Sequence, residues 1–238
     1  MQQNPILYIP IVTTFIALGF AWMVWQRYRQ KGGTHLLWWA VGIFIYGVGT
    51  FTEGFVTLFG WNETVFRAWY ISGALLGGAP LAQGTVYLLL RRLTAHRLTL
   101  VLIPFILIAA SLVILTPLDY TLVETHRLSS KIIEWRGARL FSPFINTYAF
   151  IFLVGGAILS AYRFRKNLTT RHKFIGNIYI AVGALLPGIG GAFTRFGYTE
   201  VLYVTELAGI MLIYVGYRYN VQGKAIVRQA HQRALVAN

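Results

Sequence analysis

The sequence predicts an all-α, polytopic bundle of seven transmembrane helices, and three observations carry that prediction. Hydrophobic residues make up 56% of the 238-residue chain and charged residues 12%, about half the charge of a soluble domain. The mean hydropathy is +0.58, and several apolar runs reach the roughly 20 residues that a helix needs to cross hydrocarbon. Charges collect between those runs more than within them. In lipid only helices and closed barrels satisfy their backbone groups, and apolar runs of this length form helices.

The spans fall at 6–26, 36–59, 67–90, 99–117, 141–162, 174–196 and 200–219, so residues 1–220 form the bundle and 221–238 a basic tail. Fifteen of the 21 Lys and Arg lie in the loops after spans 1, 3 and 5 and in the tail. The other six, with all seven acids, fall on the opposite side. The positive-inside rule then puts the N-terminus outside and the C-terminus in the cytoplasm. Such a distribution makes the net charge of +14 a topological signal and an attraction for anionic headgroups at the cytoplasmic face. Nucleic acid is not an expected partner.

Each span has its own features. The start, "MQQNPILYIP", lacks the basic n-region of a signal peptide, so span 1 is expected to persist. Span 2 opens on Trp38 and Trp39 as interface anchors and holds Glu53 six residues from its outer end, roughly 9 Å deep at 1.5 Å per residue. Span 3 begins at Arg67 and carries Gly73, Gly77 and Gly84 around Pro80. Span 6 carries Gly183, Pro187 and Gly191 at four-residue spacing, then Arg195. Small residues four apart let helices approach closely, and packing is the expected role of these glycines. A kink at Pro187 that opens a cavity is the alternative. Span 7 carries Tyr203 and Glu206.

Between spans 4 and 5, residues 118–140 form the one long connection. Leu128, Ile132 and Trp135 repeat at i, i+4, i+7 there, as on a short amphipathic helix. It either rests on the outer membrane surface, the favoured reading, or lids the bundle. In the tail, Lys224, Arg228 and His231 share a helical face suited to an interface.

Charges inside a bilayer normally face the bundle or water and find partners. The economical arrangement pairs Arg195 with Glu206, sets Glu53 nearby and Arg67 above, and lets Tyr203, Thr50 and Thr57 satisfy remaining lone pairs. Two readings stand open: a dry ion-pair clasp, or a polar pocket that opens outward and takes a small polar or amphipathic ligand. Gln83, Asn146 and Asn177 are expected to make interhelical hydrogen bonds.

No catalytic residues, metal ligands or cofactor are expected. There are no cysteines. The five histidines lie in loops or at span ends, which leaves no mid-membrane pair for haem and no cluster for zinc. The lysines all lie outside the spans, so a retinal Schiff base has no attachment point.

Three stretches, "LLWWAVGIFIYGVGTFTEG", "FRAWYISGALLGGAPLAQGTVYLL" and "RHKFIGNIYIAVGALLPGIGG", carry a resemblance to a known family. In their order across residues 1–220 the chain resembles the seven-helix N-terminal sensor region of bacterial membrane histidine kinases. That likeness implies a bundle that senses a ligand or membrane state and passes it to cytoplasmic effector domains. None is present in this sequence, so a protein partner is expected to carry the signal. A receptor-like sensor is thus the leading functional expectation. The alternatives are a small-solute transporter with a 3+1+3 bundle, hinted at by "GTFTEGF" in span 2 and "GAFTRFG" in span 6, or an accessory subunit whose glycine-rich faces pack against a partner or a second copy.

Overall fold

A computed structural model of the chain describes residues 5–166, 168–194 and 196–236, with backbone alone for 168, 222 and 224–236. Those residues are helical throughout, joined by short turns and one longer loop, with no named strand. A 3₁₀ turn, Pro5–Tyr8, leads into α1 (Ile9–Lys31), followed by α2 (Thr34–Phe59), α3 (Glu63–Trp69), α4 (Ala79–Leu89) and α5 (Arg92–Leu115). Then come α6 (Arg136–Ala149), α7 (Gly156–Phe164), α8 (Arg171–Thr194) and α9 (Thr199–Val236). Among the described residues six stretches are long and apolar enough to cross a membrane: Pro5–Lys31, Thr34–Phe59, Arg92–Leu115, Arg136–Phe164, Arg171–Thr194 and Thr199–Val221.

The expected third span is the exception, because it is broken. From α3 the chain passes through a π-helical turn, Tyr70–Leu75, and a short non-helical link into α4. Pro80 sits in the first turn of α4, where a missing N–H is tolerated, and Gly77 and Gly78 precede it. At the break, the Ala74 carbonyl accepts from Ser142 Oγ at 3.0 Å and Asn146 Nδ2 at 3.1 Å. Side chains of α6 thus replace the backbone bonds that the break removes. A second π-helical turn, Phe150–Gly155, joins α6 to α7 without a break.

Two clusters make the core. One unites α1, α2, α4, the second π turn and α9 through Phe20, Val24, Ile43, Leu81, Leu153 and Ile210. Phe20 meets Tyr214 and Tyr217 edge-on, with ring centroids 5.3 and 5.4 Å apart. The other closes the acid-bearing end of the bundle around Phe66, Leu75, Val113, Ile132, Ile133 and Ile145.

The loop before α6 departs from expectation. It forms no amphipathic helix. Two 3₁₀ turns, Tyr120–Leu122 and Ser130–Ile132, and a bridge between Leu118 and Ile133 fold it back on itself. Leu128 and Ile132 are buried in the end cluster, while Trp135 stays exposed. The segment covers the bundle end because its apolar groups are spaced to fill a gap between α2, α3 and α5, and no continuous helical stripe is needed for that.

α8 and α9 form an antiparallel hairpin whose turn uses Gly197 at φ +93°, a conformation that glycine adopts without strain. Their seam is lined by glycines seven apart. Gly176 lies against Gly216, Gly183 against Gly209, and Gly190 against Leu202 and Thr205. A seven-residue repeat keeps one stripe facing the partner helix along its whole length. Gly191 faces open space, so the seam uses Gly190 in its place. α8 runs unbroken through Pro187, whose ring packs on Gly209.

Candidate functional site

Sequence placed the chemistry at the acid-bearing end, and two features meet there. The first is a pocket of about 280 Å³ lined by Leu7, Glu124, Thr125, His126, Arg127, Thr199, Glu200 and Tyr203. Arg127 ties its loop wall to the α8–α9 turn. Its Nε donates to Thr199 Oγ1 at 2.7 Å, a terminal nitrogen donates to the Gly197 carbonyl, and Glu124 lies 3.5 Å away. His126 Nδ1 sits 3.4 Å from the Val56 carbonyl at the end of α2.

Below Tyr203 lies the second feature, the carboxyls of Glu53 and Glu206. These two lie within hydrogen-bond reach of each other. Trp69 Nε1 donates to Glu53 Oε1 at 3.0 Å, and Tyr46 donates to the Glu206 carbonyl at 2.9 Å. Oε2 of each glutamate is buried and has no hydrogen-bond partner. Thr50 and Thr57 do not supply one: Thr50 shares a bond with Thr14, and Thr57 donates to the Leu7 and Glu53 carbonyls.

Arg67 is not above this pair. It bonds Glu63 through Nε at 3.0 Å and a terminal nitrogen at 2.8 Å, and reaches the Val113 and Thr116 carbonyls at the C-terminal end of α5. Glu63 is one helical turn away on the same face, and the free carbonyls of α5 attract a cation. Arg195, the other expected partner, lies outside the described residues. Pairing between Arg195 and Glu206 therefore lies outside them too. Among the described residues the ion pairs are Arg67–Glu63 and Arg127–Glu124, and neither involves the buried carboxyls.

The Glu63 carboxyl is held below the usual carboxylate range, first by the Tyr120 hydroxyl at 2.6 Å and then by Arg67. A depressed acid stabilises the fold above its unfolded titration range and loses that contribution as pH falls through the lowered one. Glu63→Gln is therefore expected to lower thermal stability at neutral pH by less than about 1 kcal/mol, because the Glu63 carboxyl is open to solvent screening. Melting curves of the two proteins should converge in acid. A difference that grows in acid would contradict this sign.

Farther from this end, Gln83 is fully buried. Its amide donates to Thr99 Oγ1 at 2.7 Å and the Ala95 carbonyl at 3.2 Å, and it accepts from Tyr148. It joins α4, α5 and α6, as expected of an interhelical bond. Asn146 likewise crosses from α6 to the Ala74 carbonyl, but Asn177 bonds only Lys173 in its own helix.

Sequence reasoning reached Glu53, Tyr203 and Glu206 but missed Trp69, Tyr46 and the pocket's Arg127 and His126. Trp69 reads as an interface anchor until α3 turns it toward α2. Arg127 and His126 stand in a charged stretch, "ETHR", that resembles any solvated loop. No protein-family model, curated protein or solved structure matches this chain. What fold and site define is a helical chain with, among the described residues, six membrane-capable helices and a polar pocket above two buried carboxyls.

Proposed function

We propose that this protein is a receptor-like sensor of the bacterial inner membrane, with seven crossings, the N-terminus outside and the C-terminus in the cytoplasm. In this reading the pocket faces outward and takes a small polar or amphipathic ligand, and a protein partner receives the signal. One observation carries the reading. Pocket residues Thr199, Glu200 and Tyr203 begin α9, and the same 38-residue helix continues past its apolar stretch to Val236. At 1.5 Å per residue it spans about 57 Å, so displacement at the pocket would move a segment on the other side of the bilayer. Discontinuous helices line the transport paths of many transporters, but side chains of α6 satisfy the Ala74 carbonyl at this break, which favours structural support.

The absence of cysteine makes labelling direct. A membrane-impermeant maleimide applied to intact cells is expected to react with Thr125→Cys and to spare a cysteine appended after Asn238. The reverse pattern would invert the topology. A panel of small polar and amphipathic solutes should contain one that raises the melting temperature of the protein but not of Tyr203→Leu. Catalysed solute flux into vesicles would instead make the chain a transporter.

A further inference from the structure

We propose that Glu53 of α2 and Glu206 of α9 form a proton-binding site, one proton shared between the two carboxyls holding the helices together. The inference does not depend on the pocket binding a ligand. Two ionised carboxylates are acceptors only, so their close contact is repulsive. A single proton changes that: the O–H of one carboxyl donates to an oxygen of the other. Oε2 of each residue is buried and receives no hydrogen bond from another group, which is tolerable for a pair of charge −1 and severe for a pair of charge −2.

The surroundings suit a proton better than a metal. Among the described residues no third His, Asp or Glu joins the pair in a metal-sized group. Glu53 also receives a neutral donor, Trp69 Nε1, where a cation would need further oxygens. The other titratable or charged groups near the pair are Tyr46 of α2 and Tyr203 of α9, which feel both carboxyls. Arg127 and Glu200 act on Tyr203 from the pocket side, and Arg195 lies outside the described residues. Departure of the proton leaves two like charges in contact between α2 and α9. Because α9 continues to Val236, the site links protonation to the position of that helix.

The full chain in detergent tests this by infrared spectroscopy and by melting across pH. At neutral pH the protein should show the carbonyl-stretch band of a protonated carboxyl, and the Glu53→Gln, Glu206→Gln double variant should lack it. Stability should fall as pH rises, and the double variant should not share that fall. If the double variant does not fold, Glu206→Gln alone serves, because its amide donates to Glu53 and removes both signatures. Absence of the band in the parent protein, or its survival in the variants, overturns the proposal. Arg195→Gln is expected to leave the band in place. A neutral-pH destabilisation by Arg195→Gln that Glu206→Gln repairs would show an ionised pair with an arginine counter-ion, and would overturn the shared proton. Sodium that raises the melting temperature of the parent but not of the double variant would overturn it in favour of a metal cation.

Discussion

Gly216→Val is expected to be the most damaging single substitution in the α8–α9 hairpin. A Cβ at Gly216 would collide with the Gly176 carbonyl oxygen and lie 3.0 Å from the Ile180 backbone nitrogen. Both obstacles are backbone, so no rotamer change relieves them, and the helices must separate. Overpacking of this kind costs about 1–3 kcal/mol and sometimes more, against a total of about 5–15 kcal/mol for a typical domain. Gly183→Val meets the Gly209 carbonyl oxygen at 2.6 Å and should behave alike. Gly191→Ala is the control, since nothing lies within 4 Å of its Cβ position. It should be neutral or raise stability by up to about 1 kcal/mol through helix propensity. Equal losses for Gly216→Val and Gly191→Ala in detergent melting curves would refute a close seam.

Ile132→Ala carries the second large expectation. Ile132 is fully buried in the end cluster with Phe66, Val113 and Ile133, although it belongs to a loop. Removing its outer carbons leaves a cavity, and such truncations cost about 2–5 kcal/mol. Trp135→Ala, at a position 43% exposed, should cost far less. The loop also carries Arg127, which meets Thr199 across the pocket wall. Loosening the loop at Ile132 should therefore expose a cysteine at Thr125 to faster labelling. If Ile132→Ala and Trp135→Ala were equally mild, the loop would rest on the membrane surface and not on the core.

Much of this architecture could be read along the chain. Apolar runs located the long helices, and Glu53, Tyr203 and Glu206 stood out because charge and polarity are rare in such runs. Neither the partners nor the interruptions were equally visible. Arg67 and Glu206 carry complementary charge, yet Glu63 is one turn from Arg67 and wins by proximity. Four-residue spacing of Gly183, Pro187 and Gly191 suggested the packing stripe, but the seam follows Gly176, Gly183 and Gly190. Several glycine registers coexist in that helix, and only the facing helix selects one. Gly73, Gly77 and Gly84 around Pro80 suggest a packing face in the third segment, and their spacing does not show that the helix breaks there.

By itself the sequence determined that long apolar segments would be helical, since a backbone without water must bond within its own segment. It also raised the expectation that the acids gather at one end and most Lys and Arg at the other, because that division follows from the order of spans and loops. Tertiary structure decided which groups meet. Folding the 118–135 loop inward made it a wall of the pocket, and packing α2 against α9 and α3 brought two glutamates and Trp69 together. Those outcomes depend on contacts between residues far apart in the chain, such as Glu53 with Glu206 and Arg127 with Thr199, where local pattern carries no record of the partner.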